Sequence, residues 1–273
     1  SLPYSTIFSN WVEILTNPLI TNEILTTQEL PGKTFNLLND GNFCIGGTKQ
    51  RLLGKLLSTL SHEYIVYAGP ALGMAQVALG YTAAIYKKKA VIFLNGSKSD
   101  LNKPLCRLAQ NLGVDIRVRD TSSTLQNAEE DALAWVNQDP SNRFLSPFGL
   151  RKERTDPIFQ MFHNQLKVAL KNILEPRRIW LVGGSGFIFD VLSSIWPNTK
   201  LMIVQVGKKI WREVLEGKNY ELFIAPERFG ETGLVQPPYH SIPWYDAKLW
   251  QFVKQHGENG DYIWNVAILP DNP

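Results

Sequence analysis

The stretch YIVYAGPALGMAQVALGYTAAIYKKKAVIFLNG, residues 64–96, decides the fold class. Its opening, YIVYAG (64–69), is an apolar run closing on a glycine, the mark of a buried strand. MAQVALGYTAAIY (74–86) reads as a helix of small residues, and AVIFLNG (90–96) as a second buried strand. Strand, helix and strand at this spacing predict a βαβ unit, with two parallel strands joined by a right-handed crossover.

The alternation continues on both sides. FNLL (35–38) reads as a strand, and TKQRLLGKLLSTL (48–60) as an amphipathic helix with Leu52, Leu53, Leu56, Leu57 and Leu60 on one face. Downstream, PLCRLAQNLG (104–113) is a helix closed by glycine, DIRVRD (115–120) a strand, and about 124–137 a helix. SPFGLRKERTDP (146–157) is a turn-rich connection, followed by a long helix at about 157–173. IWLVGGSGF (179–187) runs from a strand through a glycine turn into a helix, and LMIVQVG (201–207) is another buried strand. Pro237, Pro238 and Pro243 loosen the chain before a last helix, YDAKLWQFVKQHG (245–257), closed by Gly257. The expected class is α/β with two sheets rather than one.

Composition narrows the function classes. With 273 residues, 44% hydrophobic and 19% charged, the chain suits a soluble globular protein with a sizeable core. A net charge of +3 tolerates a phosphorylated ligand or a nucleic acid and demands neither. Cys44 and Cys106 form no CxxC pair and have no histidines at zinc spacing, so neither a disulfide framework nor a metal site is expected. The start, SLPYSTIFSNWVEIL, lacks a basic stretch followed by an apolar one, and no apolar run approaches the roughly 20 residues of a membrane helix. A cytoplasmic setting is the expectation. His62, His163, His240 and His256 are scattered and read as surface or structural residues, with His240 the one near a candidate site. Trp180, Trp196, Trp211, Trp244 and Trp250 read mostly as core or lobe-interface residues. Lys87, Lys88 and Lys89 read as a solvated helix end rather than a polyanion contact, and Glu227 as a surface glutamate rather than one that lines the site.

Two turns carry chemistry. NDGNFCIGGTKQR (39–51) sets two glycines just before Lys49 at a helix start. Adjacent glycines let the backbone approach a flat ligand, and the positive end of the helix dipole disfavours protonation of an amine there. Schiff-base chemistry needs that, since only the neutral amine attacks an aldehyde. The plain alternative is a solvated lysine at an ordinary helix start. GGSG (183–186) stands between a strand and a helix, where backbone N–H groups and the Ser185 hydroxyl suit a phosphate. Its plain alternative is a tight turn without ligand. A dinucleotide GxGxxG would need glycine near Phe189, and no GxxxxGK[ST] loop occurs. An aldehyde-reactive lysine and a later phosphate cradle together match what pyridoxal phosphate requires.

With these motifs the chain resembles the fold type II (tryptophan synthase β-like) pyridoxal-phosphate enzymes, nearest the aminocyclopropane-carboxylate deaminase and D-cysteine desulfhydrase branch. NPL (17–19) resembles the family's early threonine-proline-leucine, FNLLND (35–40) the strand into its acidic turn, and GGTKQR (46–51) its GGNKxR. YIVYAGPALGMAQVALGYTAA (64–84) takes the place of the strand, loop and helix that meet the substrate carboxylate and the cofactor's phenolic oxygen. GGSG resembles the phosphate loop, and WYDAKLWQFV (244–253) the late tyrosine-acid-x-lysine helix start. The resemblance therefore implies two lobes, each an open, mostly parallel sheet flanked by helices: 1–47 with 147–273 as the large phosphate-binding lobe, and 48–146 as the small mobile lobe. It implies Lys49 as the Schiff-base lysine, Gly183, Gly184, Ser185 and Gly186 around the phosphate, Asp246 beside the pyridine nitrogen, and Tyr245 as catalytic tyrosine. Gly69, Gly73 and Met74 fall where the substrate binds. A homodimer is implied as well.

The middle loop departs from the family, because Gly69-Pro70-Ala71-Leu72-Gly73-Met74 holds no polar side chain. Backbone N–H groups at Gly73 and Met74 are the expected substitute. The chain is also shorter than most relatives. The implied activity is that of a lyase or deaminase, which forms an external aldimine with an amino substrate and does carbanion chemistry at Cα. One alternative keeps the cofactor and takes an amino acid attached to a nucleobase or another large molecule, as in DNA base hypermodification. Another is a noncatalytic cofactor-binding module, against which Lys49, Tyr245 and Asp246 argue.

Overall fold

The computed structural model describes residues 19–43, 46–147, 153, 155–184 and 186–269. Along the chain come β1 (Asn22–Thr26), β2 (Thr34–Asn39), α1 (Gly47–Thr59), β3 (Tyr64–Pro70), α2 (Ala75–Ile85) and β4 (Lys89–Asn95). Then follow α3 (Pro104–Asn111), β5 (Asp115–Arg117), α4 (Leu125–Asn137), β6 (Arg143–Leu145) and α5 (Pro157–Ala169). The remainder holds β7 (Arg178–Gly183), α6 (Phe187–Ile195), β8 (Lys200–Gln205), α7 (Arg212–Leu215), β9 (Tyr220–Ile224), α8 (Trp250–His256) and β10 (Tyr262–Asn265). Among the described residues no helix is long and apolar enough to cross a membrane.

Residues 46–147 form one compact unit around a parallel four-stranded sheet, ordered β5-β4-β3-β6. Val66, Ala68 and Val91 of that sheet pack on Ala128, Ala132 and Val136 of α4. A capping box starts α4: Thr124 Oγ1 accepts the Asn127 N–H at 3.1 Å, and Asn127 Oδ1 accepts the Thr124 N–H at 3.1 Å. Leu52, Leu53, Leu56 and Leu57 bury one face of α1 while Lys55 stays exposed, and Leu60, just past the helix, is half-buried. Nearly all of α2 is buried, because it packs against α1, α3 and the sheet at once. Small residues permit that crowding. A Cβ on Gly80 would stand 2.7 Å from a Val114 methyl.

Residues 19–43 and 155–269 form the other unit, around a six-stranded sheet ordered β1-β2-β10-β7-β8-β9, in which β1 alone is antiparallel to its neighbour. Every residue of β7 is buried, as a central parallel strand covered on both faces requires. Phe35, Trp180, Val204, Trp250 and Ile263 meet in its core. Asp156 caps α5 by accepting the Ile158 N–H at 2.8 Å, with Pro157 in the first turn.

The differences from expectation are local. DIRVRD pairs only as far as Arg117, because the chain then turns so that Ser123 bridges Gly96. The helix expected to 173 ends at Ala169, short of Pro176 and the entry into β7. YDAKLWQFVKQHG is not one helix: a 3-10 turn, Asp246–Leu249, precedes α8, and Tyr245 stands before both. Strands β1, β6, β9 and β10 were not anticipated. Of SPFGLRKERTDP and NPL, residues 148–152, 154 and 17–18 lie outside the described residues, as does Ser185.

Candidate active site

Lys49 sits in the first turn of α1, half-buried, where the sequence places it. The two glycines before it have structural reasons of their own. Gly47 takes a φ of +58°, in the left-handed region that favours glycine. A Cβ on Gly46 would stand 2.5 Å from the Ala78 Cβ in α2, so the backbone leading into α1 packs directly on the Ala78 methyl. Gln50 completes the turn: its Oε1 accepts the Gly46 N–H at 2.8 Å. Among the described residues its buried Nε2 has no hydrogen-bond partner, and neither has the buried Ser146 Oγ after β6.

The loop after β3 corrects an expectation. The Gly73 N–H donates to the Pro70 carbonyl at 3.1 Å, inside the turn itself, and is not offered to a ligand. Gln76, which sequence reasoning passed over, ties the loop down. Its Nε2 donates to the Ala71 carbonyl at 2.7 Å, and its Oε1 accepts from the Cys106 thiol at 3.7 Å. Burial pushes the Cys106 thiol above its ordinary value, so Cys106 stays a neutral donor. No side chain caps the buried start of α2, which leaves N–H groups from Met74 onward as the loop's donors.

In the other unit, the glycine turn follows β7 at its carboxyl end, where α/β sheets bind their ligands. Each described glycine is there for a different neighbour. A Cβ on Gly183 would stand 2.5 Å from Ile210 and 2.6 Å from Phe189. Gly186 has a φ of +83°, and a Cβ there would strike Val214. At Gly184 the neighbour is polar: a Cβ would stand 2.7 Å from the Tyr245 hydroxyl. Two sequence-predicted site residues, Gly184 and Tyr245, are thus brought together.

Asp246 is fully buried, and its Oδ2 accepts the Ala267 N–H at 3.2 Å, just past the carboxyl end of β10. It opens the 3-10 turn, whose N-cap position is Tyr245. Two buried donors of this unit, the Tyr239 hydroxyl and Trp250 Nε1, have no hydrogen-bond partner among the described residues. Their rings meet edge to face at 6.1 Å. Burial, and then the Asp246 charge, push the Tyr239 hydroxyl far above its ordinary range, so it stays protonated.

Other expectations shift. Glu227 is buried, accepting the Leu234 N–H at 2.9 Å and the Gln251 amide at 3.2 Å. Burial raises its carboxyl, but these bonds and the Lys248 charge outweigh that and leave it below its ordinary value. Lys248 is itself buried and donates to the Arg228 carbonyl at 3.0 Å. The lysine run is not simply solvated: Lys88 Nζ donates to the Leu60 and His62 carbonyls at 2.8 and 2.6 Å, and Lys89 pairs with Glu63 at 3.1 Å. His240 is exposed, and what the structure uses there is its backbone carbonyl.

No protein-family model matches the sequence, and no curated protein matches it. Solved structures do. An ACC deaminase homologue superposes with a TM-score of 0.67 at 17% identity, over 96% of this chain and 94% of that one. The threonine deaminase of T.th. gives 0.66 at 13% identity, over 98% of both chains. An O-acetylserine dependent cystathionine β-synthase from Helicobacter pylori gives 0.62 at 14%, over 91% and 92%. At these identities the likeness is one of fold. The chain has the two-lobed, tryptophan synthase β-like architecture that its motifs led us to expect. It spans these neighbours almost end to end, so a shortened chain does not set it apart from them.

Proposed function

We propose that this chain is a pyridoxal-phosphate-dependent enzyme of the lyase or deaminase type, acting on an amino substrate, with Lys49 holding the cofactor. The observation that carries the reading is the Tyr245 hydroxyl standing directly over Gly184, at the carboxyl end of β7. A tight turn needs glycine for its backbone. It does not need a tyrosine hydroxyl at the empty Cβ position. The glycine turn fits a phosphate: the space beside Gly184 is one that a Cβ would fill, and a hydroxyl borders it. The solved neighbours, a deaminase homologue and a threonine deaminase among them, support the reaction class.

When bound, pyridoxal phosphate supplies an electron sink for the charge released at the substrate's Cα. Lys49, in the first turn of α1, would hold the cofactor's aldehyde and would move the proton at Cα. Gly183, Gly184 and Gly186, before the start of α6, would hold the phosphate by backbone N–H groups, with Ser185 as the further candidate that the sequence offers. Asp246, fully buried, would stand as the partner of the pyridine nitrogen. Tyr245 Oη gives or takes a proton at the reacting carbon. Gly69 and Met74 flank the substrate, and the N–H groups from Met74 onward take over the donor role expected of Gly73.

A second reading keeps the cofactor and takes an amino acid attached to a nucleobase or another large molecule. The loop favours it: no polar side chain lies in 69–74, and the Gly73 N–H is spent on Pro70. The test is the visible spectrum of the purified protein titrated with pyridoxal phosphate, then with L-threonine and aminocyclopropane carboxylate, then with amino-acid-bearing nucleotides or DNA. We expect a protein-bound visible band, lost in Lys49→Ala, that shifts with an amino substrate. A shift with the attached amino acids alone selects the second reading. No band at saturating cofactor contradicts the proposal.

A further inference from the structure

Tyr245 and Asp246 end an irregular stretch that follows three prolines, which raises the question of what fixes their position. The carboxyl ends of two adjacent strands answer it. Asn265, the last residue of β10, is 1% exposed and uses both ends of its side-chain amide. Its Nδ2 donates to the His240 carbonyl at 2.8 Å and to Asn39 Oδ1 at 2.9 Å, while its Oδ1 accepts the Ser241 hydroxyl at 3.0 Å. Asn39 ends β2, is 8% exposed, and is itself held by Glu23 at 3.4 Å. Two residues past Asn265, the Ala267 N–H binds Asp246. The segment 240–246 is therefore gripped at its start by the Asn265 side chain and at its end by the backbone just beyond it.

We propose that Asn265, backed by Asn39, is the positioning residue for Tyr245 and Asp246. It sets where the Tyr245 hydroxyl stands over Gly184 and where the Asp246 carboxylate is presented. A buried amide satisfied at each atom exchanges rotamer freedom for one geometry, and losing one bond releases the chain that it holds. The catalytic consequence rests on the proposed function; the positioning does not.

The experiment uses the full chain and Asn265→Asp, which keeps size and shape but takes the donor away from both the His240 carbonyl and Asn39 Oδ1. Ser241→Ala, which removes only the bond to Oδ1, is the milder companion if the first variant folds poorly. Amide hydrogen exchange across the chain is measured together with the visible circular dichroism of the protein saturated with pyridoxal phosphate. We expect exchange in 240–247 to accelerate roughly tenfold or more while β2, β7 and β8 keep wild-type protection. The bound cofactor's ellipticity should fall by about half or more, with its affinity changed less than about threefold. Unchanged exchange in 240–247, or an equal loss across the whole sheet, overturns the proposal. The exchange result decides the positioning role even if no cofactor binds, whereas absence of a cofactor band contradicts only the functional reading.

Discussion

Gly184 shows how a residue can be legible in sequence while its reason is not. The GGSG run announces a turn, yet the atom that forbids a side chain at Gly184 is the hydroxyl of Tyr245, far along the chain. Asn265 and Gln76 were not legible for the same reason: a lone amide carries no periodicity, and its meaning lies in distant carbonyls. The Gly184–Tyr245 contact has a sharp consequence. Gly184→Ala places a methyl 2.7 Å from the hydroxyl, whereas without that oxygen the nearest ring carbon is at 3.6 Å, an ordinary contact. The alanine should cost about 1–3 kcal/mol in the wild-type background. In Tyr245→Phe it should cost less than about 0.5 kcal/mol, the usual limit of additivity error. Urea unfolding of the four proteins measures the coupling; equal costs in both backgrounds would remove the contact.

Among the elements, the central parallel strands and their helices were readable because burial on both faces leaves continuous apolar runs. The strands that escaped notice lack that signal. β1 and β9 are edge strands with exposed Ile24 and Ile224, while β6 and β10 are short, and polar or proline-rich sequence adjoins them. The join between β7 and β10 depends on one carboxylate instead. Asp261, 3% exposed, accepts from Arg178 at 3.1 and 2.8 Å, from Trp180 Nε1 at 2.9 Å and from the Glu258 N–H at 2.9 Å. Asp261→Ala removes the buried partner of the Arg178 guanidinium and the acceptor of Trp180 Nε1, leaving Arg178 with Glu258 at 2.9 Å and the His256 carbonyl at 2.7 Å, and should destabilise the unit by about 2–3 kcal/mol in urea unfolding. A loss below about 1 kcal/mol would mean that solvent replaces the pair.

For the whole molecule, the order of motifs carried more information than any single one. A glycine-lysine helix start, a glycine turn after a central strand and a late tyrosine-aspartate pair each have ordinary explanations. Together they led to a tryptophan synthase β-like fold, and solved structures of that fold span the chain. A net charge of +3 adds no independent support for a nucleic-acid substrate, so that reading rests on the apolar loop. Everything proposed about chemistry depends on Lys49. The direct measurement is borohydride reduction of the protein saturated with pyridoxal phosphate, followed by peptide mass mapping. The account predicts a pyridoxyl adduct on Lys49; an adduct confined to Lys55 or Lys87, or no adduct at all, would contradict it.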